Sequence, residues 1–296
     1  MPDVRHDDGL GRLVAPGPCE AVASGLIFTE GPVWHPDGYL LFSDINASRI
    51  YRWRDGALDI YREPSWQSNG LTLDPTMSLV SCEHEGRRVS RERDGALEAL
   101  ATAYDGKRLN SPNDVIARSD GRIFFTDPPY GITEEQRELP YNGVFTISPT
   151  GELTLLASDF DRPNGLALSP DERTLYVADT SRHHVRAFDV GPDGALSNGR
   201  VFAQMRDDGR PDGMKVDRDG QLWVCAAGIE VFDASGRPLG NVDVPQRPAN
   251  CAWGEDGSTL FVCARTAVYR MRTSARGVGP AFRAGTAYHA ADSGGG

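Results

Sequence analysis

Five polar residues fall at the same point of five consecutive repeats: Glu30, Asn69, Asn113, Asn164 and Asp212. Each opens a short apolar strand pattern, in turn EGPVW, NGLTL, NDVIA, NGLAL and DGMKV. Each pattern leads through a turn (HPDG, DPTM, RSDG, SPDE or DRDG) into a second apolar run such as YLLFSDI or TLYVADT. A sixth copy starts at Ala249, where the polar slot is empty. Successive starts are 39, 44, 51, 48 and 37 residues apart. A period of about 40–50 residues with four strands per unit marks a β-propeller. The expected fold class is therefore all-β, a six-bladed β-propeller. The first strand of every blade lines the central channel, so a polar slot at the head of each such strand becomes a ring of oxygens.

Blades cannot bury their faces alone, so the repeats predict one closed domain over residues 12–288. Residues 1–11 read as a disordered leader and 289–296 as a flexible tail. Part of RLVAPGPCEAVASG (12–25) is expected to form the outermost strand of the last blade, which closes the ring and protects its edges. The turn DGAL recurs at 55–58, 94–97 and 193–196, between third and fourth strands, with Asp-Gly supplying hairpin geometry. Two segments exceed the basic blade, 101–112 and 127–143. Pro128, Pro129 and Pro140 rule out a continuing strand in the second of these. Long loops in an economical repeat are usually functional or disordered, and these two read as walls of a pocket near the ring.

The charge balance excludes some partners. The 296 residues carry 31 Lys and Arg against 42 Asp and Glu, a net charge of −11, which argues against nucleic acid. Arg87, Arg88, Arg91 and Arg93 are the local exception and read as a solvated blade edge. Five cysteines without a CxxC pair fit neither a disulfide framework nor a zinc ribbon. Cys225, Cys251 and Cys263 fall in apolar strand patterns, where a reduced cysteine acts as a small core residue. No stretch reaches the roughly 18 apolar residues of a membrane span, and the N-terminal residues lack a signal-peptide core. The expectation is a cytoplasmic protein with no membrane partner; the oligomeric state is not readable.

Hard cations take oxygen ligands, and the ring supplies charged carboxylates at Glu30 and Asp212 and neutral amide oxygens at Asn69, Asn113 and Asn164. The ring has neither His nor Cys, which disfavours a typical zinc centre. A second periodic set, Asp44, Asp127 and Asp179, follows Glu30, Asn113 and Asn164 by 14, 14 and 15 residues. It reads as capping the next turn or bracing the ring. No serine sits in a nucleophile-elbow pattern and no phosphate-cradling glycine loop is present.

With TEGPVW (29–34), KRLNSPNDV (107–115), FFTDPPYG (124–131), RPNGLALSPD (162–171) and PDGMKVD (211–217), the chain resembles the gluconolactonase, senescence-marker-protein and luciferin-regenerating-enzyme family of six-bladed propellers. The resemblance spans nearly all of residues 20–272. It implies one divalent cation held by Glu30, Asn164 and Asp212, with Asn113 contacting substrate or water. Animal members carry Arg at the position of Ser111; this chain has the RLNSPND form of the microbial branch. The implied activity is metal-dependent opening of a sugar lactone, such as gluconolactone, to the aldonic acid by metal-activated water. Asp212 and Asn113 are the expected catalytic residues, and Arg108, Asn110, Asn113 and Asn69 the expected substrate-binding ones. Calcium is expected from ligand hardness, with zinc, manganese or iron(II) able to substitute. The rival readings are an organophosphate or other ester hydrolase on the same propeller, and a noncatalytic binding propeller.

Overall fold

The computed structural model describes residues 4–282, except position 208. Six antiparallel sheets succeed one another along the chain, each running from the channel outward. Blade 1 comprises Thr29–His35, Tyr39–Asp44, Arg49–Arg54 and Ala57–Arg62. Blade 2 comprises Ser68–Leu73, Leu79–Glu83, Arg88–Arg93 and Ala96–Ala101. Blade 3 uses Val115–Ala117, Ile123–Asp127, Asn142–Ile147 and Leu153–Phe160, and blade 4 uses Pro163–Leu168, Thr174–Asp179, His184–Val190 and Leu196–Gln204. Blade 5 uses Met214–Val216, Leu222–Cys225, Ile229–Phe232 and Pro238–Val242. Blade 6 takes three strands from the C-terminal part, Asn250–Gly254, Thr259–Ala264 and Ala267–Arg272, and its fourth, Glu20–Ser24, from near the N-terminus. That pairing closes the ring as the segment 12–25 predicts.

The beginning of the chain departs from expectation. Residues 4–11 are not a loose leader: Val4–Arg5 adds a fifth strand to blade 5 by pairing with Val242 and Asn241. Leu10 is fully buried among Trp223, Leu239 and Val242, so this segment covers an otherwise unpaired sheet edge. Its acidic composition hid one core leucine. The expected tail, 289–296, lies outside the described residues.

Blades adhere through aromatic residues on facing sheets. Trp34 of blade 1 stacks on Phe261 of blade 6 with ring centroids 5.4 Å apart, and Trp223 of blade 5 meets Trp253 of blade 6 edge-on at 5.3 Å. Truncating such a ring to alanine costs about 3–5 kcal/mol. The DGAL hairpins turn with left-handed backbone at Asp55 and Gly56, and again at Asp94 and Gly95. Of Arg87, Arg88, Arg91 and Arg93, expected as a solvated edge, only Arg93 is exposed. Arg87 is buried and donates through Nε to the carbonyls of Leu109 and Asn110, each at 2.8 Å, while Arg88 pairs with Glu83 and Arg91 with Asp74.

The inner strands converge closely at their heads. A Cβ on Gly31 would stand 1.8 Å from the carbonyl oxygen of Asn69, and one on Gly165 would stand 2.2 Å from that of Asp212. Glycine after the ring residue therefore lets neighbouring blades touch backbone to backbone. Hydroxyls and a thiol of second strands tie the backbone of three ring residues to the adjoining blade. Ser43 donates to the Asn69 carbonyl (2.8 Å), Thr126 to that of Asn164 (2.7 Å) and the Cys263 thiol to that of Glu30 (3.7 Å).

Candidate active site

The polar slots gather where the repeat places them, at the heads of the inner strands around the channel. Glu30, Asn69, Asn113 and Asn164 are each about 4–5% exposed, and Asp212 is half-buried. Burial, then the charges of Asp212 and Asp114, push the Glu30 carboxyl well above the usual carboxylate range. Burial and Asp114 likewise push Asp212 up to about 7, against the opposing pull of Arg247, Asn164 and Arg265. Burial and neighbouring carboxylates thus outweigh the opposing pull at both groups, an environment that a bound cation would relieve. Among the described residues no cluster of three or more His, Cys, Asp and Glu side chains could hold a metal by itself, so a site here needs amide oxygen as well.

Asn164 supplies it. Its Nδ2 donates to the Tyr130 hydroxyl (3.2 Å) and to Thr180 Oγ1 (3.1 Å), and Thr180 in turn donates to the Pro211 carbonyl (2.7 Å). With the amide nitrogen spent on the protein, Oδ1 is the group left to accept or to ligate. An all-oxygen set of two carboxylates and one oriented amide, in a pocket with excess negative charge, fits a hard divalent cation.

The second periodic set is the brace that holds the ring residues in place. Asp44 accepts the backbone N–H groups of Ile27 (3.0 Å) and Phe28 (2.9 Å), Asp127 those of Asn110 and Ser111 (both 2.7 Å), and Asp179 those of Asp161 (2.9 Å) and Arg162 (3.0 Å). In each case the donors lie three and two residues before Glu30, Asn113 or Asn164. A carboxylate at the end of a blade's second strand thus fixes the loop that feeds that blade's first strand.

The expected substrate-binding residues separate. The Asn113 side chain has no hydrogen-bond partner among the described residues and stays available. Arg108 is exposed, and its Nη2 donates to the Gly86 carbonyl at 3.3 Å. Asn110 is fully buried, and its Nδ2 donates to the carbonyls of Asp127 (3.1 Å) and Tyr141 (2.9 Å). It holds the two long loops together, which is a structural use of the amide that its place in RLNSPND does not reveal. Asn69 donates to His84 Nε2 at 3.0 Å, and His84 Nδ1 lies 2.6 Å from Ser111 Oγ. Ser111 is itself fully buried.

Several residues of the site escape sequence reading. His84 and Thr180 each stand directly after the last residue of a second strand, and both reach the asparagine of their own blade; that shared position was the available signal. Asp114 and Asn250 occupy the slot filled by glycine in blades 1, 2, 4 and 5, and form the floor beneath the ring with Lys215. Lys215 Nζ donates to the Met214 carbonyl (3.0 Å) and lies 3.4 Å from Asn250 Oδ1. Farther along the inner strands is a cavity of about 260 Å³, lined by Val33, Trp34, Leu71 and Leu168 and closed by Pro280–Phe282. It is mainly apolar and is lined by none of the five ring residues.

Comparison with known proteins bears on the same residues. A family model described as the SMP-30/Gluconolactonase/LRE-like region matches residues 28–266. A gluconolactonase of Zymomonas mobilis is 36% identical, over 88% of this chain and 82% of that protein. A pentonolactonase of Haloferax volcanii is 31% identical, over 79% and 80%. The solved structure of a Xanthomonas campestris gluconolactonase superimposes with a TM-score of 0.85 at 36% identity, covering 92% of this chain and 95% of that one.

Proposed function

The chain belongs to the SMP-30/gluconolactonase/LRE-like family, and from that premise we propose that it hydrolyses a small sugar lactone to the aldonic acid. The observation that carries the reading is the pair Glu30 and Asp212, flanked by an Asn164 amide that Tyr130 and Thr180 hold in place. The names of the gluconolactonase and pentonolactonase relatives point to the substrate class. Glu30, Asn164 and Asp212 would hold one divalent cation, and calcium suits an all-oxygen set that includes a neutral amide. When bound, the cation would supply Lewis-acid polarisation of the lactone carbonyl and a lowered pKa for water.

Hydrolysis forms one C–O bond between water and the carbonyl carbon and breaks the ring ester C–O bond. The water proton passes to a base, and a proton returns to the ring oxygen as it becomes a hydroxyl. Asp212 is the base we assign, because its carboxylate would lie beside both the cation and the attacking water. The Asn113 amide, unspent on the protein, serves to orient the substrate. Arg108 offers the remaining N–H groups of an exposed guanidinium to sugar hydroxyls. The ring contains no serine, cysteine or lysine nucleophile, so water attacks directly and no acyl-enzyme accumulates.

The test is a panel of gluconolactone, galactonolactone, xylonolactone and a phosphotriester, offered to metal-stripped and reloaded protein. Acid release from at least one sugar lactone is expected only after reloading, linear from the first turnover. Cleavage of the phosphotriester with no sugar lactone opened would overturn the reading, and so would full activity in the stripped protein.

A further inference from the structure

We propose that His84 is a positioning residue: it turns the Asn69 amide so that Oδ1, not Nδ2, faces the channel and accepts a hydrogen bond from a hydroxyl of the bound lactone. The inference rests on the lactonase reading for the identity of the ligand, but not for the orientation of the amide. Asn69 Nδ2 carries only donors, so at 3.0 Å His84 Nε2 must be the acceptor and carry no proton. A neutral imidazole with bare Nε2 has its hydrogen on Nδ1, which points it at Ser111 Oγ, 2.6 Å away. Ser111 is fully buried, so it anchors the imidazole and does not reach substrate. The chain Ser111–His84–Asn69 thus spans blades 2 and 3 and ends on a ring amide that is 4% exposed.

Blade 4 repeats the device with different chemistry. Asn164 gives its Nδ2 to Tyr130 and Thr180, and the Tyr130 ring meets the His84 ring edge-on with centroids 6.4 Å apart. The two tethers therefore support one another, and each leaves a carbonyl oxygen for the channel. In blade 4 that oxygen belongs to the proposed cation site. In blade 2 it provides an acceptor, which discriminates hydroxylated lactones from bare ones because a ligand without the hydroxyl leaves it unpaired.

Two measurements test the inference. In ¹⁵N-labelled protein at neutral pH, long-range ¹H–¹⁵N correlation is expected to show the His84 ring as the Nδ1–H tautomer; an Nε2–H tautomer would overturn the orientation. In kinetics, His84→Ala should raise KM for gluconolactone about tenfold, the size of one lost neutral hydrogen bond, with a smaller change in kcat. It should also reduce preference for gluconolactone over unsubstituted δ-valerolactone by about the same factor. His84→Gln, which offers an acceptor near the position of Nε2, should restore most of that preference, and calcium affinity should fall less in His84→Ala than in Tyr130→Phe. The variant His84→Ala/Asn69→Ala should be no worse than Asn69→Ala alone. Additive losses would show that His84 acts elsewhere and would refute the assignment. Wild-type protein inert toward every lactone would sink the lactonase reading, whereas the tautomer would still decide the orientation.

Discussion

Asn164 of blade 4 donates to the hydroxyl of Tyr130, 3.2 Å away, in the long loop of blade 3. The loop at 127–143 is thereby coupled to a proposed cation ligand as well as to the pocket wall. The sequence suggests only a wall of the pocket. The Tyr130 ring is fixed in turn by the Arg162 guanidinium, 5.2 Å from its centroid, and by His84.

Tyr130→Phe keeps the ring and removes the hydroxyl. Partners that orient a metal ligand typically contribute 10–100-fold to affinity, and Thr180 still holds Asn164, so calcium affinity is expected to fall by about tenfold. Titration against a chelating dye measures it. An unchanged constant would show that the tether does not orient the ligand.

Asp212 and Glu30 make the metal-free protein sensitive to pH. Burial and neighbouring carboxylates raise both carboxyls, Asp212 from 3.8 to about 7. Between those values the folded state holds protons that the unfolded chain has released, so stability falls as pH rises through the window and is greatest below it. The melting temperature of stripped protein should therefore drop from pH 5 to pH 8, and the gain on adding calcium should be larger at pH 8. Asp212→Asn should flatten the stripped profile while lowering both cation affinity and rate. A stripped profile that rises with pH would contradict the opposed-carboxylate site.

Asp179 is fully buried and satisfies two backbone N–H groups, those of Asp161 and Arg162. Asp179→Ala strands both donors, at about 1–3 kcal/mol each if water does not replace the carboxylate. Urea unfolding should show a loss of about 2–4 kcal/mol, with weakened cation binding because the strand carrying Asn164 loses its anchor. A loss below about 0.5 kcal/mol would place this aspartate among ordinary surface positions.

Gly165→Ala forces a methyl to within 2.2 Å of the Asp212 carbonyl oxygen, a backbone atom that cannot swing aside. The blades must separate at the head of the channel. The expected outcome is a loss of about 3 kcal/mol or more together with loss of the cation site, since Asn164 and Asp212 move apart. Calorimetry and calcium titration on the same sample test both. Wild-type values for each would mean that the inner strands are not so closely packed.

The sequence alone determined the propeller, the number of blades and the members of the ring, because each repeat writes its period, its turns and its polar slot in residues adjacent along the chain. It also located the aspartate brace, whose offset from the ring is fixed within a single blade. What it could not supply was the use of each amide. Asn69, Asn110, Asn113 and Asn164 look alike as letters, yet Asn110 is spent on two loop carbonyls, Asn164 and Asn69 are held through their nitrogens, and the Asn113 side chain has no hydrogen bond among the described residues. Those differences come from partners on other strands or distant loops: Tyr130 for Asn164, His84 for Asn69, and Tyr141 for Asn110. The closure of blade 6 by Glu20–Ser24 was legible because an open edge demands a strand. The pairing of Val4–Arg5 with blade 5 was not, because so short a strand carries no periodicity and gains its stability only from the sheet edge and the Leu10 pocket that the folded ring creates.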